Sequence, residues 1–258
     1  MTDASPRFIS LGDGNEVLQV ALGAGDSILV NERAFVYRGL GLASEPEAVG
    51  AVSRAIGWIG FKSDRVVKFT NEGNGPTYLG LAAPFPGKVI PVHLQTSGTL
   101  LAKPSMFLAS ETSNTVSAAK LKLNPEGPFP QHNIEMRRLA GAGMCYIQGG
   151  GAAVQKALGR GESMVVEFGC VAAISEACKI VAEERTGLIR EPPYAEGFAV
   201  KVTGPGSVFI QSTHTGRLSR AGRAAAQRAS GGTEMMKAAV LTLVVMIAVF
   251  SFLDWEEV

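Results

Sequence analysis

An all-β body of three sequence-related modules, packed around a pseudo-threefold axis and followed by one C-terminal transmembrane helix, is the fold this sequence predicts. Three observations carry the prediction. A composition of 46% hydrophobic residues, with 31 glycines and 13 prolines but only 18% charged residues, suits a turn-rich β protein joined to something apolar. The phrase ALGAGDSILVNERAFVYR, starting at Ala21, returns as ALGRGESMVVEFGCVAAI, starting at Ala157, 136 residues on. An uncharged apolar run closes the chain.

The repeat predicts the body. Between the two copies lies a fainter third, TLLAKPSMFLA at 99–109, 72 residues after SILVNERAFVY and 64 before SMVVEFGCVAA. Each copy is a short aliphatic run, two or three turn-type residues and a second apolar run, the pattern of a hairpin or a bent strand pair. Asp26 and Glu162 fall in the turns that open two of the copies. A second phrase follows each first one. RLAGAGMCYIQ at 138–148 matches KVTGPGSVFIQ at 201–211 with an offset of 63, and VVKFTNEGNGPTYLG at 66–80 is the looser counterpart. Each reads as strand, glycine turn, strand. The modules run over about 17–84, 85–148 and 153–213, after an N-terminal segment 1–16. Two hairpins cannot bury a core alone, so the modules are expected to pack together as one domain, 17–215.

Longer insertions separate the strand pairs. The first, AVGAVSRAIGWIGFK at 48–62, places Val52, Ile56 and Ile59 at helical spacing. Trp58 and Ile59 are the candidate contacts for a protein partner; burial of Trp58 is the competing reading, because large apolar side chains usually end inside.

After a linker, 216–234, residues 235–254 read as a tail anchor. The sixteen residues 238–253 carry no charge, and only Thr242 and Ser251 are polar. At about 1.5 Å per residue this is slightly short of the roughly 20 residues of a typical span. Met235 and Met236 extend it when Lys237 snorkels its amine toward the headgroups, and Trp255 suits the opposite interface. Ala238, Leu241, Leu243, Ile247, Phe250 and Leu253 supply the lipid-facing surface. A buried core helix is the alternative, disfavoured because the run is apolar all round and only a short acidic tail, 255–258, follows. Arg217, Arg220, Arg223 and Arg228 lie upstream and Asp254, Glu256 and Glu257 downstream, so the globular part is expected on the cytosolic or matrix side. The arginines are candidates for anionic lipid headgroups and equally read as a solvated helix face.

Chemistry-bearing residues are sparse. The formal net charge of +1 and the few exposed-looking aromatics argue against nucleic acid as partner. Cys145, Cys170 and Cys178 form no C-x-x-C pair and no even set, so neither a disulfide framework nor a zinc site is read from them. Cys170 lies in EFGCVAA, an apolar strand copy with no neighbour to lower its pKa. His93, His132 and His214 are not paired at ligand spacing. The triple glycine at 149–151 lacks the rest of a phosphate loop and falls between modules, where the repeat explains it better. Glu32 and Arg33 are expected at a solvated turn. No acid/base pair, metal centre or cofactor site is marked, and no catalytic residue is assigned. The N-terminus MTDASPRFIS resembles neither a secretory signal nor an Arg-rich transit peptide.

LGAGDSILVNERAFVY, LAAPFPGKVIPVHL with TLLAKPSMFLAS, LGRGESMVVEFGCVAAI and VTGPGSVFIQS occur in an order and spacing that resemble the AIM24 family, named for altered inheritance of mitochondria. The resemblance covers about 17–213. It implies a fold similar to the tryptophan-RNA attenuation protein, a β-sandwich repeated three times, and no known activity. It also implies a part in mitochondrial membrane organisation, while the residues themselves point to a non-enzymatic, membrane-anchored scaffold or assembly factor with unidentified protein partners. A tail anchor directs such a body to a mitochondrial membrane, the endoplasmic reticulum or another organelle. A membrane-tethered module binding a small molecule or RNA is the alternative function, a cysteine-dependent enzyme a remoter one, and a homo-oligomer is compatible with all three.

Overall fold

The computed structural model describes residues 7–47, 65–83, 85–123, 132–183 and 199–213, all within one structural unit. Residues 48–64, with Trp58 and Ile59, and everything from 214 onward, with the arginine run and the apolar tail, lie outside the described residues.

After β1 (Arg7–Leu11), the chain makes the same six-strand circuit three times. The first uses β2 (Val17–Leu22), β3 (Ser27–Asn31), β4 (Phe35–Arg38), β5 (Leu42–Glu47), β6 (Val66–Asn71) and β7 (Thr77–Leu81). The second uses β8 (Gly87–His93), the short helix α1 (Leu94–Ser97), β9 (Leu100–Ala102), β10 (Phe107–Glu111), β11 (Thr115–Leu123), β12 (His132–Ala140) and β13 (Met144–Gly150). The third uses β14 (Ala153–Leu158), β15 (Ser163–Glu167), β16 (Val171–Ser175), β17 (Lys179–Glu183), β18 (Ala199–Thr203) and β19 (Gly206–Gln211).

These strands form four antiparallel sheets. Sheet A runs β1-β2-β7-β4, sheet B β5-β6-β3-β10-β13-β8, sheet C β11-β12-β9-β16-β19-β14, and sheet D β15-β18-β17. One rule generates the order. In every module the first and third strands flank the sixth, and the second and fourth flank the fifth. The two halves face each other as a sandwich, and the second strand of one module pairs with the third strand of the next: β3 with β10, and β9 with β16. Sheets B and C are therefore each shared between two modules.

The repeated phrases are bent strand pairs, not hairpins. Each first phrase is broken by a 3-10 turn, at Glu32–Ala34, Pro104–Met106 and Phe168–Cys170. The strands either side of each turn enter different sheets. None of these corners offers the Asn-Gly or Asp-Gly pair that a two-residue reversal demands, so the chain turns without folding back on itself. The second phrases behave alike, since β12 joins sheet C and β13 sheet B, with β18 and β19 split in the same way. True antiparallel neighbours close in sequence are the fourth and fifth strands of each module, joined across the longer insertions.

Because sheets B and C have a module on each side, their strands are apolar on both faces. In β3, Ile28 and Val30 point into the core between sheets A and B, while Leu29 points into the core between B and C. This is why the runs SILV, FLA and MCYI read as continuously hydrophobic. Three cores result: A with B around Leu18 and Leu79, B with C around Phe107 and Phe209, and C with D around Val171 and Val202. Modules connect in series through two junctions. The third junction, which a closed threefold ring requires between β15 and β4, is not among the described pairings.

Candidate functional site

The turns that open the first and third modules are near-copies. The Asp26 carboxylate accepts the Gly23 N–H at 2.7 Å, and the Glu162 carboxylate accepts the Gly159 N–H at 2.8 Å. Gly25 and Gly161 occupy positive φ of 81° and 80° beside them, a conformation glycine adopts without strain. Asp26 and Glu162 are the turn residues the sequence implies.

At the module junctions the residue just before the 3-10 turn, at or directly after the end of the second strand, reaches the next corner. Asn31 Nδ2 donates to the Pro104 and Phe107 carbonyls at 3.2 and 3.0 Å. Lys103 Nζ donates to the Phe168 and Gly169 carbonyls at 2.7 and 3.1 Å, with its amine 4.9 Å from the Phe168 ring centre. Sequence reasoning missed both roles, although the alignment of the three phrases already puts Asn31, Lys103 and Glu167 in one column. The repeated Ile-Gln is likewise structural: Gln148 accepts the Ala83 N–H at 2.6 Å, and Gln211 accepts the Gly150 N–H at 2.8 Å. Each glutamine holds the connection that leads into a module's first strand.

Glu16 fastens the first module to the second. Its carboxylate accepts from Ser10 Oγ at 2.8 Å and the Val89 N–H at 2.7 Å, with Lys88 Nζ at 3.4 Å. Burial pushes the carboxyl pKa up, but these hydrogen bonds and the lysine outweigh it and hold the group below its ordinary 4.5. A lowered folded pKa adds stability above the unfolded value, and that stability is lost as pH falls through the folded one. Glu16→Gln should therefore cost about 1–2 kcal/mol at pH 7 and flatten the acid limb of a stability–pH profile measured by denaturant unfolding. An unchanged limb would assign the acid sensitivity elsewhere.

The cysteines and histidines do not assemble into a catalytic group among the described residues. Cys145 is buried in the core between sheets B and C, and burial foremost, with Glu111 adding, pushes its thiol up to about 12. Burial also raises Cys178. Cys170 sits on the third 3-10 corner and is half-buried, where the sequence suggested an interior strand position; the corner interrupts the strand there. His93 ends β8, His132 begins β12, and His214 lies outside the described residues. Among the described residues no three His, Cys, Asp or Glu side chains are placed to hold a metal ion. The triple glycine is a seam, not a phosphate loop: Gly149 and Gly150 pair with Lys88 and Gly87, and the Gly151 N–H donates to the Pro86 carbonyl at 3.0 Å.

What stands out instead is the pair of sheet edges at the two ends of the series, which pair with no further strand among the described residues. β4 is the outermost strand on one side of sheet A, and β15 is the corresponding edge of sheet D. Val36 of β4 is 50% exposed and Val165 of β15 is 52% exposed. Such edges are suited to strand addition, not to bond-making chemistry.

Residues 8–213 match the model of the family described as "Mitochondrial biogenesis AIM24". The chain belongs to the AIM24 family. That description associates this AIM24 protein with mitochondria by family name. No curated protein matches the chain. Among solved structures it is similar to the X-ray crystal structure of protein SPYM3_0169 from Streptococcus pyogenes, with a TM-score of 0.65 and 19% identity over 84% of this chain and 98% of that one. At that identity the likeness concerns the fold alone. Among the described residues of this AIM24 chain no helix is long and apolar enough to cross a membrane, and the apolar run 238–253 lies outside them.

Proposed function

We propose that this AIM24 protein is a non-enzymatic scaffold or assembly factor, held at a membrane by its C-terminal segment and presenting its β body to protein partners. The observation that carries the reading is the uncharged run 238–253, flanked by arginines and Lys237 on one side and by Trp255 and acidic residues on the other. The body supports it. Buried polar side chains such as Asn31, Asn71, Asn114 and Gln148 are spent on turns and module connections. The raised thiols of Cys145 and Cys178 are neutral near pH 7 and poorly suited to nucleophilic work. The constant strand order supports a likeness to the tryptophan-RNA attenuation protein, with three modules packed around a pseudo-threefold axis. A mitochondrial membrane is the preferred location by family name, with the endoplasmic reticulum the alternative.

Carbonate extraction combined with protease protection tests the anchor. The intact chain is expected to stay with the membrane at high pH, with its β body digested by protease added from the cytosolic or matrix side. Release of intact protein would remove the anchor and the scaffold reading built on it.

A further inference from the structure

We propose that copies of this chain assemble head to tail, β15 of one copy adding to β4 of the next, so that sheet D of the first and sheet A of the second become one continuous sheet. The inference rests on the strand edges, independently of the C-terminal anchor.

The chain itself contains the template twice. At β3–β10 and β9–β16 the register is the same: Val30 opposite Ala109 and Leu29 opposite Ser110 in one, Ala102 opposite Ala173 and Leu101 opposite Ile174 in the other. Side chains cross each junction in both directions. Leu108 and Ala109 complete the core of the preceding module, as Ala172 does at the second junction, while Leu29 and Leu101 enter the core of the following module. All are nearly inaccessible, with Leu108 and Ala172 at 0%, Leu29 at 6% and Leu101 at 7%. By the repeat offsets, Val36 is the counterpart of Leu108 and Ala172, and Val165 that of Leu29 and Leu101. Those two valines are half exposed, and among the described residues no strand pairs with the outer edge of β4 or of β15.

Five of the six remaining edges among the described residues carry a charge or a proline within the strand or, in β17, at its ends; in the sixth, β1, only the first residue is charged. β5 carries Glu45, Pro46 and Glu47, β8 carries Lys88 and Pro91, β11 has Lys120, β14 has Lys156 and β17 begins with Lys179. Charge and proline on an edge discourage strand addition. β4 and β15 read FVYR and SMVVE, with a charge only at the last position. Repeat arrays that end in solvent normally cap their last units with polar residues, and among the described residues both outer edges here are apolar. β1 is also apolar, with Ile9 exposed, but it lies at the opposite margin of sheet A and has no counterpart in sheets B or C. At the predicted contact Glu167 takes the place of Asn31 and Lys103, and the corner it would meet carries Arg33 beside Glu32. The two surfaces differ, so the contact is heterologous and extends to a ring or a filament.

The register gives a direct test on the full chain in detergent micelles. Arg38 of one copy should face Val165 of another, as Ser110 faces Leu29. Opposed antiparallel residues have Cα atoms about 4.5–5.5 Å apart, within disulfide range. In a Cys170→Ala background, R38C and V165C chains mixed and mildly oxidised should form a disulfide-linked pair that neither forms alone. The unmodified chain should have the mass of several copies. Val36→Lys or Val165→Lys should raise the dissociation concentration roughly 100-fold. Ile9→Lys should not. A one-copy mass, absence of the mixed disulfide, a disulfide closing within one chain that carries both cysteines, or an assembly surviving V36K and V165K, as one held through the C-terminal segment would, overturns the proposal.

Discussion

Phe107→Ala should lower the unfolding free energy by about 3–5 kcal/mol, the cost of emptying a fully packed aromatic site. Phe107 is 1% exposed in the core between sheets B and C, in one cluster with Leu100, Met106, Val116 and Leu139. These neighbours come from β9, β11 and β12 of the facing sheet and from the 3-10 corner, all held by their own ladders, so they cannot collapse into the space. For a body of this size the loss corresponds to a fall of roughly 10 °C in Tm, read by thermal unfolding. The repeat supplies its own control. Phe35 is the same position in the first module, stacked on Phe69 at 6.0 Å but 44% exposed, and Phe35→Ala should cost no more than about 1.5 kcal/mol. Equal losses at both sites would contradict the placement of the first module at an open end.

Gly87→Ala should be the most damaging small substitution, at about 2–3 kcal/mol, through backbone overlap. A Cβ on Gly87 would run into the Gly149 carbonyl oxygen, 2.9 Å from its carbon and 3.0 Å from Gly150 Cα. These are backbone atoms in a paired strand and have nowhere to rotate. The site also concentrates connections: the Gly87 carbonyl accepts the Glu16 N–H at 2.9 Å, and Gly87 bridges to Gly151. One residue thus touches the entry to each of the three modules. Gly75→Ala, where an added Cβ meets nothing within 4 Å and φ is not positive, should be close to neutral in the same melt. A neutral Gly87→Ala would mean that the seam is looser than its backbone distances.

Much of this was legible in the residues. Repeats of SILVNERAFVY and of the Gly-rich second phrase located three modules and an all-β body, because strand period and turn chemistry are local properties written at each position. The turn roles of Asp26 and Glu162 followed from the same local signal. The sequence left a hairpin and a bent strand pair open because both share the pattern of apolar run, turn and apolar run; what separates them is the partner each strand finds, and that partner is far away in sequence. The exposed edge was hidden for a related reason. Val36 and Leu108 are equally apolar, and nothing beside them in sequence tells which one lacks a neighbour.

The sequence by itself therefore determined the number of modules, the strand-forming segments, their turns and the family, since these depend on composition and short-range spacing. It also determined the apolar tail that the proposed anchor rests on. Only the tertiary structure decided that successive modules share sheets, that Asn31 and Lys103 bridge the corners, and that β4 and β15 are outer edges among the described residues. Those facts depend on which strands meet across 60 or more residues, where hydrogen bonding and burial on two faces at once select the partner.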